Sequence, residues 1–176
     1  MIAAFTFQAN AAITYNTVPI PIDVPTIDRW EEILKTFPNF DCSKFFDCDT
    51  IKSLSNRTVV SKIGFVNAFV NSHIEYRTDA KDYWATPYET AMLKYGDCED
   101  FVFLKMAMLY QIGVDIDDMQ MLVVKNENNE FHAVLKIKKY IMDSVTPKIL
   151  KDREVNNYKI LYSLQGHKAY VHGKRK

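Results

Sequence analysis

Tyr83–Leu109 reads YWATPYETAMLKYGDCEDFVFLKMAML, and its punctuation lays out two consecutive helices. Thr86-Pro87-Tyr88-Glu89 opens the first. Thr86 can cap it, Pro87 suits the first helical position, and Glu89 can reach back to close a capping box. Gly96 suits the left-handed residue that ends it. Asp97 can cap the second helix, with Asp100 three residues on, which makes Cys98 the first residue inside. That helix, Asp97 to about Ile112, is apolar on nearly every side and belongs at the centre of a core, with Gly113 ending it.

A cysteine at a helix start is chemically loaded. The attacking species of a thiol is the thiolate, and the unpaired N–H groups of a helix N-terminus favour negative charge. Asp97, Glu99 and Asp100 act in the opposite sense, because like charges raise a thiol pKa. A nucleophile among three carboxylates calls for a compensating cation: a histidinium, a metal ion, or both.

The rest of the chain frames that helix. Its 176 residues suffice for a sizeable core, and 48% hydrophobic content argues against disorder. Lys+Arg and Asp+Glu both total 22, so bulk charge makes no case for nucleic acid or a membrane surface. No run is long enough to span a bilayer. The opening MIAAFTFQANAA ends in Ala-x-Ala but has no basic n-region; it reads as a strand and not as an intact signal peptide. Three cysteines, Cys42, Cys48 and Cys98, do not make a disulfide scaffold. Cys42 and Cys48 can pair in an oxidising compartment or remain two separate thiols.

Residues 1–25 form an N-terminal arm, proline-rich at Pro19, Pro21 and Pro25. Ile27, Trp30, Ile33 and Leu34 carry helical spacing over 26–36. Phe37–Ser53 reads as an irregular acidic loop. Ser55 or Asn56 can cap the next helix, whose face Val59, Ile63, Val66, Val70 and His73 runs to about Tyr76; His73 reads as a packing histidine. After Gly113 the period changes to two. Met119–Lys125 and Glu130–Lys138 form a hairpin about Asn126–Asn129, and a short strand over Tyr140–Ser144 carries Asp143. Residues 149–176 hold a last hairpin, Tyr158–Leu164 and Lys168–His172, and a basic tail. We expect a single α+β domain over 1–176, its helical N-terminal half supplying a buried central helix that packs on an antiparallel sheet.

Cysteine hydrolases need a thiol, an imidazole to take its proton and a third group to orient the imidazole. Cys98, His132 and Asp143 are the candidates. Each alone has an ordinary structural explanation; together, on a helix start and two neighbouring strands, they favour chemistry.

These residues also carry a resemblance. Asp82–Lys105, with the blocks Trp-Ala-Thr-Pro-x-Glu and Gly-Asp-Cys-Glu-Asp, then Phe131-His132-Ala133-Val134-Leu135 and Ile141-Met142-Asp143, resembles the bacterial transglutaminase-like cysteine peptidases, the group that contains the LapG-type periplasmic adhesin proteases. The likeness spans about residues 63–145 and takes in Asn67 and Asn71. It implies a papain-like, transglutaminase-like core with Cys98 as nucleophile, His132 as base and Asp143 as orienting acid. It implies calcium beside the cysteine, on Asp97 and Glu99 with Asp100 as helper, and a protein substrate such as a surface adhesin or another large protein. It also implies a periplasmic location, against which the missing leader leaves a cytoplasmic or phage-associated chain open. Two alternatives stay beside the endopeptidase: transglutaminase- or amidase-type acyl transfer on the same triad, and a non-catalytic binding module.

Overall fold

The computed structural model describes residues 17–18, 25–79, 83–155 and 157–172. The expected opening strand, most of the proline-rich arm, Asp82 and the basic tail lie outside them.

In chain order, β1 (Thr17–Val18) precedes α1 (Pro25–Leu34), which buries Trp30, Ile33 and Leu34. The next stretch departs from the irregular loop read from its acids. It folds as tight 3-10 turns around α2 (Asp49–Ser53) and buries Phe37, Phe40, Cys42, Cys48 and Ile51. Its apolar residues follow no helical or strand period, so only packing reveals them. Asp41 caps one of the turns, accepting from Ser43 N at 3.1 Å. Cys42 and Cys48, left open by the sequence, are joined as a disulfide.

Helix α3 (Val59–His73) is capped by Thr58, which accepts from Ser61 N at 3.2 Å. Ser55 and Asn56, the expected caps, lie in a separate turn at Leu54–Asn56. The helix also stops short of Tyr76, because the chain leaves it at Ile74 to form β2 (Glu75–Tyr76). His73 is exposed and stacks on Phe69, ring centroids 4.0 Å apart.

Helix α4 (Pro87–Leu93) carries the expected capping box: Glu89 Oε2 accepts from Thr86 N at 2.7 Å, and Thr86 Oγ1 from Glu89 N at 3.3 Å. The left-handed residue that ends it is Lys94, φ 61°, and not Gly96. Gly96 sits in β3 (Tyr95–Gly96), paired parallel with β2. Its requirement is room: a Cβ there would lie 2.7 Å from both Cβ and Oδ2 of Asp100.

Helix α5 (Cys98–Gln111) is buried from Glu99 to Leu109 and ends at Gly113, φ 80°. It packs on the sheet built by β4 (Met119–Lys125), β5 (Phe131–Ile137), β6 (Tyr140–Met142), β7 (Leu150–Lys151), β8 (Lys159–Gln165) and β9 (Lys168–His172). Among the described residues the order is β1-β9-β8-β4-β5-β6-β7, every pair antiparallel. Met119, Met121, Val123, Ala133, Leu135 and Ile137 join the core around α5, while Leu122, Val124, Val134 and Ile141 form a second cluster on the opposite face. This is the strand alternation read from the sequence. No helix among the described residues is long and apolar enough to cross a membrane.

Candidate active site

The site forms where the start of α5 meets an open stretch of strand. Asp97 caps α5, its carbonyl accepting from Phe101 N at 3.1 Å, which makes Cys98 the first helical residue. Strand β5 pairs along its whole length with β4, but on its other side β6 reaches only Leu135–Ile137. Among the described residues the main chain ahead of Leu135 therefore has no strand on that side, and at Ala133 it lies close enough to Cys98 to act against the rise in the thiol pKa.

His132 lies in the same stretch, 9% exposed, and its Nε2 meets Asp143 Oδ1 at 2.9 Å. Asp143 follows directly on β6 and is 1% exposed. Val145 N donates to Oδ1 at 3.1 Å and the Tyr158 hydroxyl to Oδ2 at 2.6 Å. The Tyr158 ring meets the imidazole edge-on, centroids 5.8 Å apart. Burial pushes the Asp143 carboxyl up, but the His132 contact, Tyr158 and the Val145 N–H outweigh it and leave its pKa below the ordinary value. Asp143 is thus an anion held by hydrogen bonds.

Cys98 and His132 line one cavity of about 950 Å³ with Trp84, Tyr76, Phe131, Tyr162, Met121 and Val123. Burial, then the adjacent Glu99 carboxylate, pushes the Cys98 thiol well above its ordinary pKa, and Sγ lies 3.2 Å from Glu99 Oε2. Burial and Asp97 raise Glu99 to about 8. Burial raises Asp100 to about 7. Tyr76, beside the thiol, is raised to about 12 by burial and then by the charges of Cys98, Asp97 and Glu99. The conflict read from the sequence is therefore physical: ionising Cys98, Glu99 and Asp100 together would place more negative charge at the start of α5 than its own donors balance, so each holds its proton more tightly than usual.

The three acids differ in what their oxygens already hold. Asp100 is committed to the main chain, Oδ1 accepting from Ala85 N at 2.8 Å and Oδ2 from Asp97 N at 3.4 Å. Glu99 Oε1 is buried without a hydrogen bond. Asp97 and Glu99 are each 6% exposed. Hard carboxylate oxygens are what calcium takes, though two residues supply only part of its six to eight ligands. Among the described residues no group of three or more His, Cys, Asp or Glu is arranged around one metal position.

Three residues that the sequence did not single out for a role converge on Asp143. Tyr158, which the sequence places at the start of the last hairpin with no further role, directly precedes β8. Asn71 on α3 donates to the Asp143 carbonyl at 2.7 Å, and Lys105 on α5 donates to the same oxygen at 3.0 Å. Lys105 did leave a trace in the sequence: a charge inside an all-apolar helix must find a partner.

Solved structures with the same architecture share sequence with this chain. Calcium-bound LapG of Legionella pneumophila is 29% identical, with a TM-score of 0.67 over 82% of this chain and 90% of that one. The EGTA-treated form is 28% identical, with a TM-score of 0.69 over 90% of each chain. No curated protein matches. The family model of the bacterial transglutaminase-like cysteine proteinases matches residues 38–170, well over half of the chain. On that match, and with a free cysteine opening the buried helix, the chain belongs to the bacterial transglutaminase-like cysteine proteinases.

Proposed function

We propose that this cysteine protease cleaves a peptide bond of a protein substrate with Cys98 as nucleophile, His132 as base and Asp143 as orienting acid. The observation that carries the reading is the 2.9 Å contact of His132 Nε2 with Asp143, in the wall of the cavity onto which Cys98 opens. With Nε2 held by Asp143, Nδ1 is the ring nitrogen left for the thiol. His132 takes the thiol proton there, and the sulfur adds to the substrate carbonyl. The tetrahedral oxyanion forms beside the N-terminus of α5, where the Cys98 main-chain N–H can donate to it. Collapse breaks the C–N bond, and His132 returns the proton to the leaving amine. Water then adds to the acyl-enzyme with His132 again as base, releasing the acid and the free thiol.

Asp97 and Glu99 are the residues that would hold calcium. When bound, the ion supplies the positive charge that the start of α5 lacks. Calcium-bound and EGTA-treated forms of LapG are in keeping with this. Asp100, engaged by two main-chain N–H groups, serves as a cap rather than a direct ligand.

The test is mass mapping of a thiol-reactive probe with and without chelator, with a Cys98→Ala control on protein hydrolysis. Labelling at Cys98, stronger with calcium, and loss of hydrolysis in the variant are expected. Unchanged hydrolysis by Cys98→Ala would exclude this mechanism.

A further inference from the structure

We propose that Lys105 and Asn71 are positioning residues that fix the main chain of Asp143, and through it the His132 ring, relative to the helix that carries Cys98. This rests on the reading of Cys98, His132 and Asp143 as the hydrolytic centre.

Nucleophile and base come from different layers. Cys98 opens α5, whereas His132 and Asp143 belong to the sheet. A hydrogen-bonded relay across two layers works only if the layers are locked in register, because a misplacement of about 1 Å can lower a rate by roughly a hundredfold. Lys105 provides such a lock. It lies two helical turns along α5 from Cys98, at 1% exposure, and its Nζ donates to the Asp143 carbonyl at 3.0 Å. Asn71 Nδ2 reaches the same oxygen from α3 at 2.7 Å and also holds Thr146 O at 2.7 Å. Both lone pairs of that carbonyl are thereby taken. His132, Val145 N and Tyr158 hold the carboxylate of the same residue. Asp143 is gripped at its main chain by two helices and at its side chain by the sheet and its loops.

A lysine is a poor choice for this place on packing grounds. Its neighbours along α5 are Leu104 and Met106, both fully buried. Burial lowers its ammonium to about 7, opposed by the Asp143 charge. A methionine would fill the same space without burying a charge. The lysine adds a donor for one carbonyl and a cation beside one carboxylate, and both belong to Asp143.

The test compares Lys105→Met, Asn71→Ala, the double variant and His132→Ala with the wild type. It reads the thermal midpoint and the rate of Cys98 alkylation by iodoacetamide at pH 7. The His132→Ala variant checks the underlying reading, since it slows alkylation only if the imidazole activates the thiol. We expect Lys105→Met to keep or raise the thermal midpoint while alkylation falls about tenfold. The double variant should lose more than the product of the single losses, because both groups hold one oxygen. Wild-type alkylation in Lys105→Met, with His132→Ala slow, would overturn the proposal and leave the hydrolytic reading intact. A midpoint that falls along with the rate would mark Lys105 as structural and overturn it too. An unaffected His132→Ala would remove the hydrolytic reading, and this proposal with it. If Lys105→Met does not fold, Asn71→Ala decides alone, and a wild-type rate there overturns the proposal.

Discussion

Replacing Tyr158 by Phe removes one hydroxyl and keeps the ring that meets His132. The lost bond is the 2.6 Å contact to Asp143 Oδ2. A hydrogen bond to a charged group contributes about 1.5–3 kcal/mol. Tyr158 is half-buried, so water partly replaces the hydroxyl and the lower end applies, about 1.5 kcal/mol. The loss should depend on pH. The folded-state pKa of Asp143 lies below its ordinary value, so its contribution is present above about 4 and is lost as pH falls through the folded value. Removing a donor moves that value back toward the unfolded one and shrinks the pH-linked part. Urea titrations should therefore show the full penalty at pH 7 and a smaller one at pH 3. Since Tyr158 does not line the cavity, KM should hold while kcat falls about tenfold, some 1.4 kcal/mol of transition-state stabilisation. An equal penalty at both pH values, or unaltered kcat at an altered stability, would refute Tyr158 as the partner of an ionised Asp143.

Gly96→Ala sets a methyl 2.7 Å from Asp100 Oδ2 and should displace that carboxyl from Ala85 N and Asp97 N. The expected cost is about 2 kcal/mol, roughly 4–8 °C in thermal midpoint; an unchanged midpoint would show that the start of α5 tolerates the shift. Without calcium, Glu99 with its pKa raised to about 8 binds a proton more tightly folded than unfolded, so stability should fall as pH rises from about 4 to 8. Added calcium needs the ionised carboxylate and should stabilise more at pH 8 than at pH 5. Thermal scans with and without chelator read both, and equal stabilisation at the two pH values would remove Glu99 from the site.

Local chemistry is legible in the sequence. The Thr86–Glu89 box, the start of α5 at Cys98 and the strand alternation through His132 depend on neighbours in the chain, so spacing shows them. Where local rules failed, packing had intervened. The turns between Phe37 and Ser53 bury aromatics that follow no period, and Gly96 answers to the Asp100 side chain and not to its own φ.

An α+β order and three candidate side chains, Cys98, His132 and Asp143, follow from the sequence. Their surroundings come from packing: β6 pairs with β5 only from Leu135 on, and Tyr158, Asn71 and Lys105 close on Asp143. The physical reason is distance along the chain. Periodicity reports on residues a few positions apart, whereas these groups lie 15, 72 and 38 positions from Asp143 and meet it only because helix and sheet layers pack face to face.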